Sequence, residues 1–154
     1  MYNHPLVAPD FTVPERLECD GYVLRMLSID DLELDYEAVI ASTKRLKGLF
    51  DPNSPWPEGL TRRDDLIDLG WHEREFTLRR SFAYTVMATS EAQCLGCCYI
   101  FPSSTPGFGA SVFYWVRSGP NADARDAELG QVLRHWLSRV WPFKRVAFPG
   151  RETP

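Results

Sequence analysis

The first half of the chain passes from an apolar run to helical spacing and then to a loop. Residues 22–27 read Tyr-Val-Leu-Arg-Met-Leu, which predicts a strand. Residues 28–31 (Ser-Ile-Asp-Asp) offer N-cap side chains, and the apolar spacing after them predicts a helix over about 31–45. Residues 48–59 hold three prolines and predict a loop.

The second helix is predicted from a capping signal and has an irregular apolar stripe. Thr61 and Asp64 form a variant capping box, and the helix is expected to reach about residue 80. The irregular stripe leaves two interpretations open, namely that part of this helix is mobile or that it lines a groove.

The second half of the chain predicts three strands, a strongly amphipathic helix and a short final strand. The helix is placed at about 123–140, because apolar residues from Leu129 to Trp141 recur at alternating spacings of three and one. This order predicts an α/β (α+β) domain with a mixed, mainly antiparallel sheet flanked by helices. The strands are expected over 82–89, 94–101, 111–117 and 145–148.

The division of the chain follows its prolines. Residues 1–20 contain Pro5, Pro9 and Pro14 and are interpreted as an arm that packs along the rest. Residues 21–154 are interpreted as a single domain. With 154 residues and 44% hydrophobic positions, the chain is long and apolar enough to form one core.

Composition excludes several classes of partner. The net charge is −4 and no run is rich in lysine or arginine, so neither nucleic acid nor an anionic membrane is an expected partner. No signal peptide is visible, and no apolar run approaches the roughly 20 residues that span a bilayer. These features, with four cysteines of poor disulfide spacing, predict a cytoplasmic protein with reduced thiols.

The run Tyr22-Val23-Leu24-Arg25-Met26-Leu27-Ser28-Ile29-Asp30-Asp31 resembles the first strand and turn of the GNAT (GCN5-related N-acetyltransferase) superfamily. The order of elements over roughly 21–149 is also similar to that fold. The resemblance implies transfer of an acyl group from acetyl-CoA or another acyl-CoA to an amine, whether a small molecule or a protein.

The resemblance also implies where acyl-CoA would bind. In the family, the pantetheine arm lies where the fourth strand splays from the fifth, and the pyrophosphate lies at the start of the third helix. A helix N-terminus favours that position because it carries partial positive charge and free N–H groups. The implied cofactor-binding residues are Tyr114, Trp115, Val116, Arg117 and Arg125.

Two departures from the family pattern favour a rival hypothesis. The turn before the third helix has no glycine between 120 and 129, and Asp123, Asp126 and Glu128 place carboxylates where a pyrophosphate would dock. The sequence stops at Pro154, before the helix and two strands that follow in the family. The rival is a non-catalytic GNAT-fold protein that binds another small molecule or a protein partner. An open sheet edge would need cover from the arm or from a second subunit, so a homodimer is one expectation.

Four side chains are candidate catalytic groups. His72 and Glu75 are three apart on the second predicted helix and are candidates for an acid/base pair, against a solvated face of charge pairs. Tyr84 and Tyr114 lie on inner strands and are candidates for orienting an amine or relaying its proton. The alternative for both tyrosines is core packing.

The cysteines predict no metal site. In a regular strand Cys94 and Cys98 would face one way and Cys97 the other, so the three thiols would not converge. Packing in the core is the expected role. A thiol enzyme using Cys97 as nucleophile is a third alternative, although no basic residue lies near it in sequence.

Overall fold

The computed structural model of the chain describes residues 3–151, in which six strands form one sheet in chain order. All neighbouring strands are antiparallel except the last two, which are parallel. The mixed, mainly antiparallel sheet flanked by helices is the architecture that the sequence predicted. The strands are β1 (Arg16–Glu18), β2 (Tyr22–Met26), β3 (Phe82–Ala88), β4 (Cys94–Phe101), β5 (Ala110–Val116) and β6 (Val146–Ala147). The helices are α1 (Leu32–Ile40), α2 (Thr43–Leu46), α3 (Arg62–Thr77) and α4 (Ala122–Arg139), with a 3₁₀ turn at Ile29–Asp31.

Capping boxes open the helices on one face of the sheet. At α3, the Thr61 hydroxyl accepts from the Asp64 N–H at 3.1 Å and the Asp64 carboxylate accepts from the Thr61 N–H at 3.1 Å. Before α1, Asp31 accepts in the same way from the Ser28 N–H at 2.9 Å. Because Arg25 of β2 also donates two hydrogen bonds to Asp31, the corner between strand and helix is fixed at both ends.

The first predicted helix is broken in two, which the apolar spacing did not indicate. Ser42 leaves the helical conformation with a φ of −123°, and its hydroxyl accepts a hydrogen bond from the Ser118 N–H at 2.9 Å. The partner comes from the connection between β5 and α4, so a tertiary contact competes with helix continuation. The break leaves residues 47–60 as a loop over the sheet.

The arm forms an additional strand at one edge of the sheet. β1 pairs with β2, so the arm lies at the edge opposite β6 and does not cover the edge beside β6. Arg79, in a left-handed conformation after α3, donates to the carbonyls of Ala8 and Phe11 at 2.6 and 2.7 Å. These bonds satisfy backbone groups of the arm that no strand pairs with.

The sheet carries a core on each face. α4 and the arm cover one face, where Leu24, Tyr114 and Leu133 are buried. α1 and α3 cover the other, where Leu69 and Trp115 are buried. No helix within residues 3–151 is both long and apolar enough to cross a membrane.

Candidate functional site

A cavity opens where β5 and β6 separate. The two strands pair only at Ala110 with Val146 and at Ser111 with Ala147. Beyond these pairs, a cavity of about 710 Å³ lies between β5, the first half of α4 and residues 149–151. We call it the splay cavity. Its lining residues are Arg45, Lys47, Gly48, Leu49, Tyr114, Asp126, Ala127, Gln131, Arg134, Pro149, Gly150 and Arg151.

The splay cavity is lined by four basic side chains and one acidic side chain. Arg151 contacts Asp126, donates to the Tyr114 carbonyl at 2.6 Å and stacks with its Cζ 3.5 Å from the centre of the Tyr114 ring. Arg45 lies 3.0 Å from Asp123 and 3.9 Å from Asp126. Asp123 and Asp126, at the start of α4, are therefore paired with arginines of the same chain. The remaining charge of the cavity lining is positive, which suits an anionic ligand.

Tyr114 is packed against α4 because residue 130 has no side chain. A Cβ atom added at Gly130 would lie 2.4 Å from the Tyr114 hydroxyl oxygen, closer than real Cβ atoms approach. Burial raises the pKa of Tyr114, so its hydroxyl stays protonated at neutral pH. The tyrosine thus forms a fixed, uncharged wall of the splay cavity.

The other residues implied for acyl-CoA are distributed over three environments. Val116 lies on the same face of β5 as Tyr114, whereas Trp115 lies on the opposite face and donates to the Tyr99 hydroxyl at 3.0 Å. Arg117 forms two 2.8 Å hydrogen bonds to Glu37 and one of 3.0 Å to the Cys94 carbonyl. Arg125 lines a separate cavity of about 220 Å³ beside Asp20 and Glu128.

A second cavity, of about 330 Å³, lies on the α1 and α3 face of the sheet. Its aromatic residues are in mutual contact: the ring centroids of His72 and Tyr99 are 5.1 Å apart, and those of Phe50 and Trp56 are 5.3 Å apart. We call it the acidic cavity, because three aspartates also line it. The lining residues are Leu27, Asp35, Val39, Phe50, Trp56, Asp65, Asp68, Leu69, Trp71, His72, Tyr99 and Phe101.

The aspartates of the acidic cavity are not paired with basic residues. Asp35 and Asp65 are only 4% and 3% exposed, and no lysine or arginine lines the cavity in the described part of the chain. Burial raises the pKa of Asp35 to about 7, and burial together with the neighbouring Asp35 raises that of Asp65 to about 8. Two carboxyl groups are therefore held close together in a site that disfavours their charge.

His72 is the sequence-predicted catalytic residue that lines the acidic cavity. Burial lowers its pKa to about 4, so the ring is neutral at pH 7. Its Nδ1 and the Oδ2 of Asp65 are buried without a hydrogen-bond partner among the described residues. Unsatisfied buried polar atoms are unfavourable, so both atoms are available to a ligand.

Glu75 and Tyr84 lie away from both cavities. Glu75 is fully buried, lies 3.2 Å from Arg74 and 3.9 Å from Arg80, and forms no hydrogen bond with His72 within residues 3–151. Tyr84 packs against Trp136, and its hydroxyl donates to the Pro14 carbonyl at 2.6 Å. The structure thus brings together neither His72 with Glu75 nor Tyr84 with Tyr114 as a pair.

The predicted facing of the cysteines is wrong. The pairing of β3 with β4 shifts register between Val86 and Met87, so that Cys94 and Cys97 both face α1 and only Cys98 faces α4. A β-bulge of this kind reverses the alternation of side chains along a strand. Sequence alternation alone could not reveal it.

The bulge places two thiols beside a carboxylate. The ligand atoms of Asp35, Cys94 and Cys97 lie within 4.8 Å of one another, and the Cys97 thiol donates to Asp35 at 3.4 Å. They supply three ligand atoms, one fewer than a structural zinc site requires. Burial raises the pKa of Cys97 well above its ordinary value, which opposes a role as nucleophile.

Sequence reasoning missed the residues that give each cavity its charge. Arg45, Lys47 and Arg151 are distant from β5 in sequence, and no local pattern marks them. Asp65, Asp68 and His72 did carry a signal, because spacings of three and four place them on one face of α3. A polar face with two acids and a histidine on a helix that packs against a sheet would have indicated a site.

Comparison with known proteins agrees with this geometry at the level of fold. No family model matches the sequence, and no curated protein matches it. Solved structures do match. A ribosomal-protein-S5-alanine acetyltransferase from Vibrio fischeri has 15% identity and a TM-score of 0.58 over 79% of this chain and 66% of that one.

Two further structures support the same fold. A Vibrio cholerae protein assigned as a ribosomal-protein-serine acetyltransferase has 15% identity and a TM-score of 0.63 over 86% of this chain and 70% of that one. A ribosomal L7/L12 α-N-protein acetyltransferase in complex with coenzyme A has 14% identity and a TM-score of 0.57, over 79% of this chain and 66% of that one. This chain spans about two thirds of the length of these proteins.

The fold of this chain is that of the GNAT acetyltransferases, as the sequence resemblance predicted. A gap between the parallel strands β5 and β6 lies beside the first half of α4. Because identities near 15% establish fold alone, activity, cofactor and acceptor are matters of proposal.

Proposed function

We propose that the protein transfers an acyl group from acetyl-CoA or another acyl-CoA to an amine. The observation that carries this proposal is the splay cavity, which combines a strand gap with Arg45, Lys47, Arg134 and Arg151. Phosphate groups are bound by such clusters of basic side chains, and a chain of pantetheine dimensions needs a long gap of this kind. The neighbour with bound coenzyme A has the same fold.

The residues of this chain would act mainly by binding and orientation. Acyl-CoA, when bound, supplies the thioester whose C–S bond breaks as the C–N bond to the amine forms. Tyr114 and the backbone of residues 114–117 would orient it, and neutral His72 would accept a hydrogen bond from the amine. With a pKa of about 4, His72 is too weak a base to take the ammonium proton, for which the carboxyl groups of Asp35 and Asp65, with pKa values of about 7 and 8, are the stronger acceptors. Glu75 and Tyr84 would contribute through the packing of α3 and the arm.

One observation favours the alternative, a GNAT-fold protein that binds another ligand or a protein partner without catalysis. Arg151 occupies part of the splay cavity, where its guanidinium bonds the Tyr114 carbonyl and covers the Tyr114 ring. A pantetheine chain entering this position would have to displace that guanidinium. The alternative therefore predicts that coenzyme A does not bind.

The two functions are separated by isothermal titration of the protein with acetyl-CoA and with CoA at low salt. We expect a Kd below about 100 μM, and roughly tenfold weaker binding by Arg45→Gln, because a phosphate-binding cation is lost. Arg139→Gln, at the far end of α4, is the matched control and should bind like the wild type. Arg117→Gln and Arg125→Gln test the residues implied by the resemblance. Absence of binding at millimolar ligand would contradict acyl transfer.

Two finer expectations complete the proposal. The edge beside β6 is not covered by the arm, so a homodimer through this edge is expected, and a monomeric mass in light scattering at micromolar concentration would contradict it. The free thiols of Cys19, Cys94, Cys97 and Cys98 are consistent with a cytoplasmic location.

A further inference from the structure

We propose that the acidic cavity binds a compact organic ammonium ion, an alkyl or arylalkyl amine in its protonated form. Assignment of this ion as the acyl acceptor rests on the proposed acyl transfer. The cation site itself does not, because it is argued from the acidic cavity alone.

The charge of the acidic cavity favours a cation. Asp35 and Asp65 face the cavity from α1 and α3, are almost completely buried, and have no basic residue beside them among the lining residues. Asp68, on the next turn of α3, lies at the exposed mouth. Buried carboxylates are stable when they are paired or protonated, so a cation entering the cavity would remove an unfavourable state.

The acidic cavity is also lined by aromatic rings. The rings of Phe50, Trp56, Tyr99 and Phe101 surround the cavity, with the Phe50 centroid 5.1 Å from Tyr99 and 6.2 Å from Phe101. Aromatic faces attract organic cations through their quadrupole and also bury an apolar body. A hydrated inorganic ion would gain much less from this surface than an alkylammonium ion.

One carboxylate oxygen of the acidic cavity has no hydrogen-bond donor among the described residues. Asp65 lines the cavity and is only 3% exposed. Its Oδ2 has no hydrogen-bond donor within residues 3–151. His72 lines the same cavity with an unpartnered Nδ1. An ammonium group carries three donors, and the Oδ2 of Asp65 is an acceptor that the chain does not satisfy by itself. The Nδ1 of His72 is a second acceptor in the tautomer that carries its proton on Nε2.

The acidic cavity lies close to the strand that borders the splay cavity. Leu49 lines the splay cavity and Phe50 lines the acidic cavity, so adjacent residues of the loop that follows α2 line the two cavities. The Phe50 ring also lies 5.3 Å from Phe113 of β5, the strand that borders the splay cavity. An amine held in the acidic cavity is thus beside the strand along which an acyl-CoA would lie.

The test measures binding of phenethylammonium and of its neutral counterpart 2-phenylethanol by titration calorimetry and by fluorescence of the wall tryptophans Trp56 and Trp71. Coenzyme A is left out. We expect phenethylammonium to bind at least about tenfold more tightly than the alcohol, because charge and ring contacts both favour the ion. In Asp65→Asn the preference should fall several-fold, because only Asp35 remains at the buried end of the cavity, whereas Asp10→Asn, which alters an exposed carboxylate of the arm, should keep the full preference.

The variant is informative because it should fold. Asn is isosteric with the Asp65 carboxyl, which is largely protonated at neutral pH, so the variant should keep the fold. A thermal melt separates a loss of preference from unfolding. Equal binding of the two ligands by the wild type, absence of binding, or a preference in Asp65→Asn as large as that of the wild type would overturn the proposal. Binding of acetyl-CoA without phenethylammonium would overturn only this inference, and the reverse result only the acyl transfer.

Discussion

The splay cavity is lined mainly by basic side chains and the acidic cavity by aspartates, and the carboxylates of the two cavities have different partners. In the splay cavity, Asp126 is paired with Arg45 and Arg151, so the acidic turn is compensated within the chain. In the acidic cavity, Asp35 and Asp65 face each other without a basic partner. The difference shows that carboxylates of one domain can be paired with arginine in one place and left without a basic partner in another.

The largest effect on stability is expected from a substitution between β4 and β5, the strands that carry Tyr99 of the acidic cavity and Tyr114 of the splay cavity. A Cβ at Gly96 would lie 2.0 Å from the Trp115 carbonyl oxygen, and backbone atoms of β5 cannot move aside easily. Gly96→Ala should lower the free energy of unfolding by about 3 kcal/mol, since β4 and β5 must separate locally. Urea unfolding measures this. Gly119→Ala, which meets no atom within 4 Å, is the control, and equal stability of the two variants would refute the close contact.

A smaller effect on stability should come from the acidic cavity alone, as a dependence of the free energy of unfolding on pH. Asp35 and Asp65 have folded-state pKa values of about 7 and 8, above the 3.8 of an unperturbed aspartate, so the folded state binds more protons than the unfolded state and stability falls as pH rises. His72, with its pKa lowered to about 4, acts in the opposite direction only up to about pH 6.5.

The clear window is therefore between about pH 6.5 and pH 8. We expect a loss of about 1–2 kcal/mol across it after allowance for solvent screening. Urea unfolding at several pH values measures the slope, and Asp65→Asn should flatten it. Asp126→Asn, which removes a paired carboxylate, should keep the slope, and a wild-type stability that rises through this window would contradict the assignment.

The smallest effect concerns the ion pair that holds Arg117. Glu37 is half exposed, so Glu37→Gln should cost at most about 1 kcal/mol of stability. It also releases a guanidinium near the start of α4, which we expect to strengthen CoA binding a few-fold at low salt. Calorimetry with CoA at two salt concentrations measures this, and an unchanged affinity would show that Arg117 does not reach the phosphate groups.

Much of the fold could be predicted because periodicity and capping are local properties. The spacing from Leu129 to Trp141 gave α4 within one residue at each end, and Thr61 with Asp64 gave the start of α3. The break at Ser42 and the bulge beside Cys94 could not be predicted, because each depends on a partner from a distant segment: the Ser118 N–H in one case and the register of β3 in the other.

The candidate site was predicted less completely for the same reason. Tyr114 and His72 line the two cavities, and both were identified from their predicted strand and helix. Arg151 and Arg45 reach Asp126 only because the chain folds back over β5, and the carboxylates of Asp35 and Asp65 meet only when α1 packs beside α3. Charge alone, read along the sequence, suggested repulsion where the fold provides pairing.

The unpaired carboxylates of the acidic cavity also bear on how a product would leave. Acylation converts an ammonium ion into a neutral amide, which has no positive charge for Asp35 and Asp65 to attract and fewer donors for His72. The cavity would then release its product because the reaction itself removes the charge that was recognised. N-acetylphenethylamine should accordingly bind no more tightly than 2-phenylethanol, and tight binding of the amide would contradict recognition through charge.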